Sequence, residues 1–367
     1  MNLIKRTPKF VKITASIIVV LLAIVAITFR IGSPATPVDT NNPVGLLDKT
    51  VQDTSRNREL NFYAWYPTDA TENVTMHMDN AVFQGFSAIL DAPIKGAEDG
   101  KYPLIVMSHG SGGNRGNQGW LAPELARQGA IVVAANHPGS TSMDSAASTN
   151  ILVWNRPQDI TFLIDSVLAD PQLAPMIDTD RIAVIGHSLG GYTAFAIGGG
   201  ELSIDQFIAY CDEFPANPDC SFYRKGEVDL TQVDRSKFEQ SYRDERVSAV
   251  VVIDPAYAKS FKSESLGDRA ATLLIAPPFD GSVMGNLQVD YLADQIDSGE
   301  NYVLIDDSFH FTFLPECKPI GFYLLKMVEE DGEVLCWPED NRSRAELHAE
   351  TTNVIVTFLE SQAIFSS

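Results

Sequence analysis

Residues 182–191 read Ile-Ala-Val-Ile-Gly-His-Ser-Leu-Gly-Gly and contain Gly186-His187-Ser188-Leu189-Gly190, a G-x-S-x-G pattern. A serine hydroxyl attacks a carbonyl once a base removes its proton. The bare pattern arises by chance on the order of 0.1 times in a chain this long. Its surroundings sharpen it. A buried-strand run at 181–186 leads in, and an Ala-containing helical stretch at 190–197 leads out. Such a strand-to-helix turn lifts the hydroxyl above the sheet edge. Glycine on both flanks lets the turn close without Cβ clashes.

The base must be a histidine that follows the serine. The chain has six: His77, His109, His137, His187, His310 and His348. His77, His109 and His137 precede Ser188. His187 points away from the hydroxyl, and His348 lies on a closing helix. His310, in the loop Asp306-Asp-Ser-Phe-His-Phe-Thr-Phe313, is the expected base. A carboxylate must orient the imidazole and stabilise its charged form. Two aspartates follow strand runs: Asp280 in Pro277-Pro-Phe-Asp-Gly-Ser282, about 30 residues before the histidine, and Asp254 directly after Val-Val-Val-Ile253. Asp280 is the first choice and Asp254 the alternative. Asp306 and Asp307 are loop charges. The developing oxyanion needs amide donors. Leu189, next after the nucleophile, supplies one. The Gly-rich turn His109-Gly-Ser-Gly-Gly113 supplies the other, from Ser111 with Gly110 as the alternative. That turn lacks the Gly-Lys-Ser/Thr ending of a phosphate loop and the full dinucleotide fingerprint. No metal or organic cofactor is implied.

These residues need a scaffold. Residues 46–66 alternate and then run apolar, which predicts two opening strands in a hairpin. Short apolar runs at 104–107, 130–135, 181–186, 247–253, 271–276 and 302–305 read as buried strands. Helical spacing at 120–128, 160–168, 190–197 and 344–362 alternates with them. Strands alternating with helices predict a mostly parallel central sheet, helices on both faces, in an α/β fold. Residues 201–246 break the rhythm. They are acidic and Cys-bearing, and read as an inserted lid or cap.

The chain has 367 residues and a net charge of −21, with 45% apolar residues. That composition is globular. The acidic balance excludes nucleic acid as a partner. The charge is uneven: residues 1–30 hold five bases and no acid, leaving 22 bases against 48 acids, or −26. Residues 13–29 are uncharged and reach roughly 25 Å as a helix, near a bilayer core of about 30 Å. They read as a signal anchor with its N-terminus in the cytoplasm, or as a cleaved signal peptide with Ser33-Pro-Ala35 as its site. Both place the remainder outside the cytoplasm, and membrane contact comes only through this segment. Residues 31–43 are a linker. Four cysteines in an exported chain favour disulfides, and the local pairs are Cys211 with Cys220 and Cys317 with Cys336.

The sequence resembles the α/β-hydrolases, and within them the predicted dienelactone hydrolase group and the plasma-type platelet-activating-factor acetylhydrolases. The likeness covers most of 44–362. It rests on 56–67, Ser108-His-Gly-Ser-Gly112, Gly186-His-Ser-Leu-Gly-Gly191, and His310-Phe-Thr-Phe-Leu-Pro-Glu-Cys317 with Cys336 downstream. True dienelactone hydrolases use a Cys nucleophile, whereas Ser188 stands here. The acetylhydrolases place their acid where Asp254 stands, and many bacterial relatives where Asp280 stands. The resemblance implies one α/β-hydrolase domain over 44–367 after an N-terminal segment at 1–30, with 201–246 as its lid. It implies a serine ester hydrolase acting on small or lipid-like esters. An acyltransferase or a lipase or phospholipid acetylhydrolase-like enzyme, and a non-catalytic binding module on the same fold, are the alternatives.

Overall fold

The structure is a computed structural model that describes residues 34–97, 100–278, 289–296, 298–328, 332–338 and 341–365. The opening alternation resolves into β1 (Val44–Asp53) and β2 (Arg58–Pro67), antiparallel with Asp53 opposite Arg58. Asp53 closes the hairpin by accepting from Ser55 N at 3.0 Å, and Asn57 takes the left-handed conformation at φ 53°. Two short strands, β3 (Thr75–His77) and β4 (Phe86–Leu90), then add to the edge beside β1. The sequence pattern gave no sign of them, because three to five residues are too few to establish a period.

The buried runs become β5 (Tyr102–Ser108), β6 (Ile131–Ala135), β7 (Ile177–His187), β8 (Val247–Ile253), β9 (Ala271–Ala276) and β10 (Tyr302–Leu304). Among the described residues the large sheet has the order β10-β9-β8-β7-β5-β6-β2-β1-β4-β3. Neighbours from β10 to β6 are all parallel, and β2 pairs antiparallel with β6. All of β5 and β6 is buried, as expected for strands covered on both faces.

Strand alternation splits the core in two. Leu104, Val106, Val184, Val250 and Val252 face α2 (Asn155–Ala169) and α3 (Leu189–Gly198). Ile105, Met107, Ile185, Val251 and Ile275 face α1 (Ala122–Arg127) and a closing helix. The lid region holds α4 (Ile204–Glu213) and α5 (Pro218–Lys225). Ser203 caps α4 by accepting from Gln206 N. Then come α6 (Val289–Gln295), α7 (Gly321–Val328) and the closing α8 (Arg344–Ser361). A Ser343–Glu346 capping box starts α8.

Both expected disulfides are formed: Cys211–Cys220 between α4 and α5, and Cys317–Cys336 after the His310 loop. Residues 13–29 lie outside the described residues. Among those described, no helix is long and apolar enough to cross a membrane.

Candidate active site

β7 runs at the middle of the parallel sheet and delivers Ser188 at its C-terminal end. There the backbone turns sharply into α3. Ser188 sits at φ 57° and ψ −122°, a strained conformation for a residue with a Cβ. The turn tolerates this because its flanks are bare. A Cβ on Gly186 would lie 1.9 Å from Gly190 O, and one on Gly190 would lie 1.9 Å from Ser108 O. The elbow is therefore pressed against the end of β5. Hydrogen bonds to the neighbouring strand fix it: Ser188 N donates to Ile253 O at 2.9 Å, and Ala256 N donates to Ser188 O at 3.0 Å.

His310 Nε2 lies 3.1 Å from Ser188 Oγ, and His310 Nδ1 lies 2.6 Å from Asp254 Oδ2. Asp254 is fully buried at the end of β8, the strand beside β7. A carboxylate accepting at Nδ1 keeps the proton there, which leaves Nε2 to accept from the serine hydroxyl. The structure thus brings together Ser188, His310 and Asp254. Asp280, the first choice from chain spacing, lies outside the described residues. The carboxylate on the imidazole is the alternative, Asp254. Its advantage is adjacency: β8 borders β7, so its end opens directly beside the elbow.

The His310 loop is held from three sides by donors to its backbone. His187 Nε2 lies 2.9 Å from His310 O, Trp120 Nε1 donates to Phe313 O at 3.0 Å, and His348 Nε2 lies 2.8 Å from Thr312 O. Burial holds His187 well below the usual imidazole range and pushes His348 down to about 3, so both rings are neutral donors. His187 thus points away from the Ser188 hydroxyl, as expected, and holds the His310 loop.

The Gly-rich turn after β5 faces the serine. A Cβ on Gly110 would lie 3.2 Å from Ser188 Cβ and 3.6 Å from Ser188 Oγ. Gly112 N is taken by Ser140 O at 3.0 Å, and Gly113 N by Gly110 O at 3.2 Å. Leu189 begins α3, where a helix has no internal acceptor for its first amides. Ser111 Oγ donates to Asn150 Oδ1 at 2.9 Å.

Beneath this turn lies a polar network that the sequence did not reveal. Asp159 on α2 is completely buried. It accepts from Arg56 Nη1 at 2.8 Å and from Arg58 Nε and Nη2, both at 2.7 Å, and lies 3.0 Å from His137 Nδ1. Those hydrogen bonds and charges outweigh the cost of burial and hold its carboxyl down at about 2. His137, pushed to about 4 chiefly by burial, is neutral, so it contributes a hydrogen bond rather than an ion pair. His137 Nε2 lies 3.0 Å from Ser108 Oγ. Arg156, also on α2, bonds Ser108 Oγ at 3.3 Å, Thr193 Oγ1 at 3.1 Å, Ser140 Oγ and the His109 carbonyl.

A second group missed by the sequence reading is Asp219, at the start of α5. It accepts from Tyr257 N at 3.2 Å. Burial pushes its carboxyl up to about 6, and it feels the charges of both His310 and Asp254. Among the described residues no group of three or more His, Cys, Asp and Glu side chains is placed to hold a metal ion.

A family model described as the alpha/beta hydrolase fold matches residues 103–199, which span β5 to the end of α3. A ferulic acid esterase from Streptomyces cinnamoneus superposes with a TM-score of 0.58 over 90% of this chain and 93% of its own, at 19% identity. The fold is that of the α/β-hydrolase superfamily. Cutinase est2 of Thermobifida alba is 31% identical over 96 residues, which are 26% of this chain and 29% of the cutinase. Platelet-activating factor acetylhydrolase of Canis lupus familiaris is 31% identical over 147 residues, covering 28% of this chain and 33% of that enzyme. The chain thus aligns with about a third or less of the length of these curated relatives.

Proposed function

We propose that this protein is a serine ester hydrolase that works through an acyl-enzyme. The observation that carries the reading is the continuous hydrogen-bonded chain Ser188 Oγ, His310, Asp254, at 3.1 and 2.6 Å. Ser188 Oγ attacks the ester carbonyl while His310 Nε2 takes its proton. Asp254 holds the ring and stabilises the imidazolium. The amide of Leu189, with that of Ser111 or Gly110, donates to the tetrahedral oxyanion. His310 then protonates the leaving alcohol, and water repeats the sequence to release the acid and restore Ser188.

Two curated relatives, a cutinase and a platelet-activating factor acetylhydrolase, support an ester as substrate. Small or lipid-like esters fit the reading, with residues 201–246 as the lid over the acyl pocket. The two disulfides favour an oxidising compartment outside the cytoplasm. Residues 1–30 would direct the chain there, as anchor or as cleaved signal, ahead of a single hydrolase domain.

The test is hydrolysis of p-nitrophenyl acetate by the wild type and by Ser188→Ala. Loss of the nucleophile lowers kcat by at least about 10⁴-fold. Full activity in Ser188→Ala would sink the assignment. A panel of acyl chain lengths, with and without an alcohol acceptor, separates hydrolase from transferase and short-chain from lipase-like preference.

A further inference from the structure

The turn between β5 and α1 is gripped from behind by two buried side chains with no part in the proton relay. We infer that Arg156 and His109 are positioning residues that clamp the carbonyl ends of two successive peptides, so that the Gly110 and Ser111 amides face the nucleophile. This rests on the serine hydrolase reading and deepens it.

A peptide unit is planar and trans, so its N–H and C=O point in opposite directions. Fixing the carbonyl fixes the amide. The unit that ends in the Gly110 N–H has the His109 carbonyl as its other end, and Arg156 Nη2 donates to that oxygen. The unit that ends in the Ser111 N–H has the Gly110 carbonyl as its other end. That oxygen is bonded by His109 Nδ1 at 2.7 Å and by Gly113 N at 3.2 Å. The nucleophile lies beside this backbone, since a Cβ on Gly110 would be 3.6 Å from Ser188 Oγ.

The protonation state of His109 follows from its other nitrogen. His109 Nε2 accepts the His137 backbone N–H at 3.2 Å, so the ring proton sits on Nδ1, where it must be to reach Gly110 O. Burial and the neighbouring Arg156 cation keep the ring neutral and its Nε2 lone pair available. Arg156 is 2% exposed, and among the described residues each of its hydrogen bonds ends on a neutral oxygen. A buried cation without a directly bonded carboxylate is costly, and an apolar or amide side chain would fill the same space at less expense. A charged donor on the His109 carbonyl also polarises that peptide, which strengthens the Gly110 N–H as a donor to an oxyanion. Thr193 and Ser108 seat the guanidinium between α3 and β5, so the clamp is referenced to the elbow itself.

The experiment compares the full-length wild type with Arg156→Met, Arg156→Lys, His109→Leu and His109→Asn. It reads kcat and KM for p-nitrophenyl acetate, the inhibition constant of an aryl trifluoromethyl ketone, and thermal unfolding. The ketone adds to the serine and leaves an oxyanion where the tetrahedral intermediate has one. We expect Arg156→Met and His109→Leu to lose about 10- to 100-fold in kcat, below the full loss of a donor, with KM nearly unchanged. Ketone inhibition weakens in parallel. Arg156→Lys and His109→Asn, which keep a donor, recover part of both. Should Arg156→Met fail to fold, the His109 pair and Arg156→Lys decide the matter on the same readouts. The inference is overturned if kcat stays near wild type, if KM carries the loss, or if the ketone binds unchanged while kcat falls. A fluorophosphonate probe, run on wild type and Ser188→Ala, tells the two claims apart. Labelling of wild type alone upholds the serine reading whatever the clamp variants do. No labelling overturns that reading and the clamp with it.

Discussion

At the residue scale the candidate site depends on which carboxylate serves the imidazole. Asp254 bonds His310 Nδ1, so Asp254→Asn is expected to lower kcat by roughly 10³- to 10⁴-fold through loss of the correct tautomer. Asp280→Asn should change kcat less than about threefold. Steady-state kinetics on the pair checks this, and a larger loss for Asp280→Asn would reverse the assignment. Asp219 makes a pH-dependent prediction. Its folded carboxyl is raised to about 6 from an ordinary value near 3.8, so the folded state holds its proton more tightly than the unfolded state does. That linkage favours folding below about 3.8 and fades as pH rises through 6. Asp219→Asn keeps an acceptor for Tyr257 N and removes the charge. Its melting temperature should exceed that of the wild type at pH 8, with the difference gone at pH 4. A variant less stable than wild type at pH 8 would contradict a carboxyl raised by desolvation at this half-buried position. Ser188 and His310, which the structure brings within 3.1 Å of each other, were legible as candidates because G-x-S-x-G and a histidine after the last strand are local patterns. The carboxylate that bonds His310 was not, because chain spacing ranks Asp280 and Asp254 without saying which strand borders β7. Arg156 and Asp159 were also hidden. The helix begins at Asn155, earlier than its apolar spacing suggested, and its first turn enters a polar pocket rather than solvent.

At the scale of elements, the site depends on two close approaches. Gly190 touches the end of β5, and a Cβ there would lie 1.9 Å from Ser108 O. Gly190→Ala should cost roughly 3 kcal/mol or more and abolish turnover, since neither backbone can give way. Thermal unfolding together with fluorophosphonate labelling would check it, and a wild-type response in both would argue against so tight an elbow. The second device is the Cys317–Cys336 bridge, which closes a 19-residue separation just past the His310 loop. Replacing both cysteines by serine should lower the melting temperature by roughly 5 °C or more. Most of this frame was readable from period alone: the hairpin, the buried parallel strands and the closing helix all stand where alternation and helical spacing put them. The edge strands β3 and β4 escaped because they are short and owe their form to pairing with β1.

For the molecule as a whole, adjacency of central parallel strands explains why their C-terminal ends bring the candidate residues together. β5, β7 and β8 are neighbours, and their C-terminal ends supply the Gly-rich turn, Ser188 and Asp254. The net charge of −21 sets the background. Like charges on the surface repel, and salt screens them within about 10 Å at 0.1 M. The melting temperature should therefore rise between 10 and 200 mM NaCl, and a fall would mean that attractive pairs dominate. The serine reading is tested by mass spectrometry of the protein after reaction with a fluorophosphonate. One phosphonyl adduct is expected on the peptide bearing Ser188, with ester hydrolysis lost in step and no adduct in Ser188→Ala. Hydrolysis that survives complete labelling, or an adduct on any other residue, would contradict it.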